Sequence, residues 1–121
     1  MDKDRAQAVL LWVLSALMAV YFGLLGLAKL TAEPSWAAKF EEWGYSLTTL
    51  HVIGGLELVG AAGLLVPRIA AVAALVLGLI TVGAAVTYLA HDDAVRVIRP
   101  LIFTIFLGVI AWRRRPEGLV T

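Results

Sequence analysis

The sequence predicts an all-α membrane protein, in which four transmembrane helices pack into one small bundle. Of the 121 residues, 61% are hydrophobic, whereas soluble domains are usually less than half apolar. The mean hydropathy is +0.90, and apolar runs of roughly 20 residues, the length that crosses a bilayer, recur along the chain. Lipid is therefore the expected solvent. The length suits one domain, which we expect to comprise residues 1–121.

The first expected span covers residues 6–30. Its segment 6–28 contains 23 consecutive uncharged residues, which is longer than the apolar part of a typical secretory signal. No good small-x-small cleavage pattern follows this segment. We therefore expect a retained transmembrane helix rather than a cleaved signal peptide.

Three further spans are expected over residues 47–66, 69–90 and 95–112. Pro67 and Arg68 form a tight turn before the third span, which contains no charged residue. The fourth span is the shortest, since its charge-free part, 100–112, has 13 residues, or about 20 Å of helix. It reaches across the bilayer if the preceding Arg96 and Arg99 snorkel to the interface or pair inside the bundle.

A short external amphipathic helix is expected over residues 34–43, between the first two spans. Pro34 stands at an early helical position, where proline is favoured. Trp36, Phe40 and Trp43 recur at spacings of four and three residues, which places their rings on one helical face. We expect the rings to lie at headgroup depth or over the mouth of the bundle. The alternative is an ordinary loop that carries aromatic belt residues.

The distribution of Lys and Arg predicts a multi-pass protein of the cell membrane with both termini in the cytoplasm. With four spans, both termini lie on one side, which carries six basic residues: Lys3, Arg5, Arg68, Arg113, Arg114 and Arg115. The other side carries four: Lys29, Lys39, Arg96 and Arg99. The side richer in Lys and Arg is normally the cytoplasmic one.

Glu57 lies in the middle of the second span, where a carboxylate costs roughly 2.5–3.5 kcal/mol on insertion scales. Such a group is expected to be protonated or paired, and either to serve a function or to lock the bundle through hydrogen bonds. Three cations approach it from the external side: Lys29, Arg96 and Arg99. Counted from the helix ends, Lys29 lies well above Glu57, so Arg99 is the expected direct partner.

Polar residues of the four spans gather in the external half of the expected bundle. Matched depths predict a polar intramembrane pocket that opens outward and is formed by eight residues: Tyr21, Lys29, Trp43, His51, Glu57, Thr81, Tyr88 and Arg99. The alternative is that hydroxyl groups such as that of Thr81 only bond to backbone carbonyls, as they often do in membranes.

Several kinds of chemistry are excluded or left without support. The chain has no cysteine, so it forms no disulfide and carries no thiol nucleophile or Cys-ligated metal. Its net charge of +1 gives no general attraction to nucleic acid. His51 and His91 share no local ligand spacing, so no metal site is expected. No phosphate loop, nucleophile elbow or redox centre is evident, which leaves enzymatic activity open.

Four segments follow one another with a characteristic order and spacing. Segment 21–30 ends in Lys-Leu, and segment 40–45 has the pattern Phe-x-x-Trp-Gly-Tyr. Segment 54–67 has glycines around a glutamate, and the last segment is 84–91. Together they resemble the DoxX-like family of small four-helix membrane proteins. Ser46 stands where proline is common in that family. Tyr88 stands where histidine often stands, so no histidine role is transferred.

The resemblance implies a four-helix membrane fold and leaves three functions open. Some relatives are named as quinone-reducing subunits of sulfur oxidation, others resemble partners in membrane redox complexes, and distant ones resemble receptor-assembly chaperones. The chain is therefore expected to bind a quinone or an isoprenoid lipid, alone or in a redox complex. The alternatives are a non-catalytic scaffold for other membrane proteins and a dimeric proton-coupled exporter that uses Glu57. Its expected partners are the lipid bilayer and a membrane protein or a second copy.

Overall fold

Helices make up nearly all of the structure, a computed structural model that describes residues 3–91 and 93–114. Within these ranges five α-helices follow one another: α1 (Lys3–Leu30), α2 (Pro34–Glu42), α3 (Leu47–Leu64), α4 (Ala70–Ala90) and α5 (Ile98–Arg113). A short 3-10 helix, Ala94–Val97, precedes α5. No strand occurs within the described ranges, so the predicted all-α fold is confirmed.

Among the described residues, four helical segments are long and apolar enough to cross a membrane: α1, α3, α4 and Ala94–Arg113. The most extensive interfaces join α1 to α3 and α4 to α5, and the contact between α3 and α4 connects these two pairs. The predicted fold of four spans and one additional short helix is confirmed. Since α1 ends, α3 begins, α4 ends and α5 begins beside α2, we call this end of the bundle the α2 end.

Large apolar side chains cover the outside of the bundle. Leu10, Val59 and Leu79 are 66%, 73% and 73% exposed, respectively. Exposure on this scale is unfavourable in water but suits contact with lipid tails. The half of the bundle away from α2 is packed by buried apolar side chains: Leu64, Leu77, Leu107 and Ile110.

The fourth span does not start as the regular α-helix expected from residue 95. Residues Ala94–Val97 form a 3-10 helix, and α5 begins at Ile98. Pro100 explains this start, because its ring would clash with the carbonyl four residues earlier in an α-helix that began at residue 95. In the first turn of α5, Pro100 lacks only an N–H that would have no helical partner there.

Helices α1 and α3 cross closely where Gly26 faces Gly54. A Cβ atom added at Gly26 would lie 2.7 Å from the backbone oxygen of Gly54 and 2.7 Å from the backbone nitrogen of Leu58. A Cβ added at Gly54 would lie 2.7 Å from the Cβ of Lys29. Small residues let helix backbones touch in membranes, where lipid provides no hydrophobic drive for association. This contact sets the register of α1 against α3.

Local sequence determines both ends of α2. The Glu33 side chain accepts a hydrogen bond from the backbone nitrogen of Ser35 at 3.2 Å, and Pro34 begins the helix. Hydrogen bonds from Ser35 lower the pKa of the exposed Glu33 carboxyl. Gly44 adopts a φ of 82°, a left-handed value that favours glycine after a helix end. The helix ends at Glu42, one residue before the predicted end.

The Gly54→Ala variant should lose roughly 1–3 kcal/mol of unfolding free energy, because the added Cβ overlaps atoms of α1. Gly108→Ala is the matched control, since a Cβ there meets no atom within 4 Å; alanine should be neutral or stabilising by up to about 1 kcal/mol. Unfolding in mixed micelles, followed by circular dichroism, measures both. Equal stability of Gly54→Ala and the wild type would contradict the close crossing.

Candidate functional site

A buried ion pair joins α1 to α3. The Nζ of Lys29 lies 2.5 Å from Oε1 of Glu57, and the two side chains are 8% and 1% exposed. Breaking such a pair from one side leaves an uncompensated charge away from solvent, which is strongly destabilising. The partner of Glu57 is therefore Lys29, and the prediction that Arg99 is its direct partner is wrong.

The register of the two helices explains why Lys29 reaches Glu57. The close crossing places Gly54 level with Lys29 and Leu30, so Glu57 lies only three residues deeper along α3, or about 4.5 Å. Helical side chains lean toward the N-terminus of their own helix. Because α1 and α3 are antiparallel, the two charged side chains lean toward each other. Counting from helix ends overestimated their separation, since α3 begins beyond the end of α1.

A partly enclosed cavity of about 250 Å³ lies beside this pair, toward the α2 end. Its wall includes residues from all five helices, among them Phe22, Ile53 and Phe103. Seven of the eight residues predicted to form a polar pocket line it: Tyr21, Lys29, Trp43, Glu57, Thr81, Tyr88 and Arg99. The structure thus brings most of the predicted polar groups around one space.

His51 does not line the cavity, so the prediction that this residue belongs to the pocket is wrong. Helix α3 presents Thr49, Ile53 and Glu57 to the cavity, at spacings of four residues. Two residues after Thr49, His51 is rotated by about 200° around the helix axis. It therefore lies half-buried on another face of α3. Its depth agreed with the pocket, but its helical phase did not.

Three aromatic side chains, two from α2 and one from the residue that caps its C-terminus, form a roof over the cavity: Trp36, Phe40 and Trp43. Lys29 Nζ lies 4.5 Å from the centre of the Trp36 ring, a favourable cation–π distance. Trp43 contacts Tyr88 edge-on, with 5.3 Å between ring centres. The three rings therefore cover the cavity at the α2 end of the bundle.

Two hydroxyl pairs connect helices around the cavity. Thr81 Oγ1 and Thr104 Oγ1 lie 2.6 Å apart and join α4 to α5. The Tyr45 hydroxyl lies 2.9 Å from Thr87 Oγ1 and ties the segment before α3 to α4. Thr81 and Thr87 also lie within hydrogen-bond distance of backbone carbonyls. These hydroxyls are thus engaged within the protein, and Thr81 bonds to a backbone carbonyl, pairs with Thr104 and also lines the cavity.

Arg99, Tyr21 and Tyr88 supply the remaining polar wall. The Tyr21 ring stacks on Phe103 with 4.2 Å between ring centres. Arg99 lines the same cavity as both tyrosines. Tyr88 is only 5% exposed. One guanidinium and two phenols therefore offer hydrogen-bond donors beside aromatic rings.

Sequence reasoning missed some lining residues. Phe103 follows Arg99 by four residues, so the helical spacing that identified other neighbours could have found it. Tyr45 follows the left-handed Gly44, and helical periodicity gives no signal for a residue in such a turn. Within residues 3–91 and 93–114, no three His, Asp or Glu side chains converge as metal ligands would.

A model of the DoxX-like family matches residues 13–110, a range that contains every residue lining the cavity. The chain belongs to the DoxX-like family. The resemblance inferred from the sequence is therefore confirmed. Comparisons with curated proteins and with solved structures found no match. The function of this DoxX-like protein is consequently argued from its own site, since a fold alone does not define an activity.

In this DoxX-like protein, Glu57→Leu should lower the free energy of unfolding by about 3–5 kcal/mol, because Lys29 keeps a buried charge without its partner. Adding Lys29→Met should recover most of that loss, since apolar side chains of similar volume then replace the pair. A double-mutant cycle of unfolding in mixed micelles gives the coupling energy.

The exposed pair Arg96–Asp93 provides the control for this cycle. Its nitrogen and oxygen lie 3.4 Å apart, and its side chains are 54% and 35% exposed. Asp93→Asn should change stability by less than about 1 kcal/mol. If the coupling energy between Lys29 and Glu57 is no larger than the change in stability caused by Asp93→Asn, the buried pair does not have the structural importance assigned to it.

Proposed function

We propose that this protein binds a small apolar molecule with a polar head, such as a quinone or an isoprenoid lipid. The supporting observation is the cavity of about 250 Å³, whose wall is mostly aromatic and aliphatic with a few convergent polar groups. Sites of this composition are typical of small-molecule binding. The volume suits a ring-sized head, so a longer tail would lie along the apolar outside of the bundle.

The wall has groups for both parts of such a head. Trp36, Trp43 and Phe103 offer ring faces and edges, and each aromatic contact contributes about 0.5–1.5 kcal/mol beyond area burial. Arg99 and Tyr88 can donate hydrogen bonds to a carbonyl or hydroxyl oxygen. A flat head with polar oxygens would therefore satisfy the aromatic and the polar parts of the cavity together.

The alternatives receive less support from the site. A proton-coupled exporter needs a carboxylate that loads and releases protons, whereas Glu57 is held 2.5 Å from the ammonium of Lys29. A scaffold for other membrane proteins does not require a lined cavity. Redox use would depend on a partner protein, because the chain carries no cysteine and no redox group of its own is evident.

We also propose that both termini are cytoplasmic, so that α2 is external and the cavity opens outward. Arg113 and Arg114 lie at the end of the bundle opposite α2, on the side richer in Lys and Arg. Arg115, the third member of this basic cluster, lies outside the described residues. A quinone or lipid would then enter from the outer leaflet.

Cysteine labelling tests this orientation against a background without native cysteine. Ser35→Cys on exposed α2 should react with a membrane-impermeant maleimide added outside intact cells. Thr121→Cys, beyond the described residues, should react only after the cells are opened. The reverse pattern would show that the proposed orientation is inverted.

Ala84→Phe should weaken ligand binding at least tenfold, because its ring would occupy the cavity that Ala84 lines. The probe is decylubiquinone, added to protein in lipid nanodiscs. Its binding is followed by quenching of Trp36 and Trp43 fluorescence, after the remaining tryptophans are replaced through Trp12→Phe and Trp112→Phe.

Ala16→Phe is the matched control, since Ala16 is exposed on the outside of α1. It should saturate at the same quinone content as the parent protein. Saturable quenching that is the same in Ala84→Phe as in Ala16→Phe would contradict binding in the cavity. Quenching that only follows the quinone content of the bilayer would contradict the proposed function itself.

A further inference from the structure

Two cations line the cavity, and their electrostatic states differ. Lys29 is neutralised by Glu57 at 2.5 Å. Within the described ranges, no carboxylate lies at ion-pair distance from Arg99. Tyr21 and Tyr88 line the same cavity, but their side chains are phenols rather than carboxylates. Arg99 thus presents a net positive charge to a mostly apolar cavity.

Two further basic residues, Arg96 and Lys39, lie in the neighbourhood of Arg99. Asp93 forms an ion pair with Arg96, in which Oδ2 of Asp93 lies 3.4 Å from Nε of Arg96. Burial, followed by the charges of Arg96 and Arg99, lowers the pKa of Lys39 on α2. The Nζ of Lys39 lies 4.7 Å from the centre of the Trp36 ring, which forms part of the roof. Lys39, Arg96 and Arg99 are therefore the basic residues of this region, and among the described residues Asp93 is the carboxylate at ion-pair distance from one of them.

We propose that the ligand held by this cavity is an amphiphile whose head is an ionised phosphate or carboxylate, bound by Arg99. The inference rests on the proposed function, since it names the chemical class of the molecule in the same cavity. A guanidinium matches two oxygens of either acid with parallel hydrogen bonds. Tyr21 and Tyr88 line the same cavity, and their hydroxyls can donate further hydrogen bonds. A neutral head would leave the charge of Arg99 uncompensated.

The rest of the wall selects an amphiphile over a small free anion. Phe22, Leu25, Ile53 and Phe103 line the cavity and offer no hydrogen bond to an ion. Transfer of a small ion into such surroundings is costly, whereas an acyl or isoprenoid chain gains by contact with them. The polar and apolar parts of one ligand would thus match two parts of one wall.

Two pairs of probes isolate the contribution of the head. Farnesyl phosphate and farnesol share one tail, and oleate and oleyl alcohol share another. Each is added to protein in phosphatidylcholine nanodiscs and followed by fluorescence of Trp36 and Trp43 in the background without the other two tryptophans. Partitioning into protein-free nanodiscs corrects for the concentration of each probe in the bilayer. Inorganic phosphate alone is the third arm.

The acidic member of at least one pair should bind about tenfold or more tightly than its alcohol, as expected for a charge-assisted bidentate contact. Arg99→Gln should remove this preference and keep binding of the alcohol. Arg99→Lys retains the charge but not the planar group that donates two parallel hydrogen bonds, so this variant should keep part of the preference for the acid. Arg113→Gln is the matched control, because Arg113 lies at the opposite end and contacts Gln7, and should keep the full preference.

Each result has a distinct meaning. Equal binding of acid and alcohol by the wild type overturns this inference and leaves the proposed function standing, while no saturable binding of any probe overturns both. A preference that survives Arg99→Gln overturns the assignment to Arg99. Inorganic phosphate binding as tightly as farnesyl phosphate shows a free-anion site and overturns the amphiphile.

Discussion

A buried pair of opposite charges ties two helices of this bundle to one register. Lys29 and Glu57 are almost inaccessible, so sliding α1 along α3 would leave two charges without solvent or partner. Gly26 and Gly54 allow the backbone contact that brings the two side chains together. The ion pair and the glycine contact therefore require the same register of α1 against α3, and each depends on the other.

The Lys29–Glu57 pair lies between two parts of the bundle interior that differ in composition. Away from α2, side chains such as Leu77 and Leu107 fill the space between the helices. Toward α2, charged, hydroxyl and aromatic groups surround a cavity. Glu57 pairs with Lys29, whereas Arg99, the other cation that lines the cavity, has no carboxylate at ion-pair distance among the described residues. A structural ion pair thus gives the neighbouring site its chemical character.

Much of this architecture could be predicted from sequence, because lipid demands long apolar helices and drives polar groups into the bundle. Other features depend on tertiary packing. The identity of the partner of Glu57 depends on the Gly26–Gly54 contact, which no count from helix ends reveals. His51 shows that depth without helical phase is insufficient. The 3-10 start of the fourth span follows from the position of Pro100, which a hydropathy pattern does not take into account.

The distance between Nζ of Lys29 and Cδ of Glu57 in a lipid bilayer tests the ion pair most directly. Solid-state NMR of protein with 15N-labelled lysine and 13C-labelled glutamate measures their dipolar coupling, and Lys29→Met assigns the signal. The 2.5 Å contact between Nζ and Oε1 predicts a strong coupling that disappears in this variant. A folded protein in which Lys29 shows no coupling to a glutamate carboxyl carbon would contradict the pair and the helix register built on it.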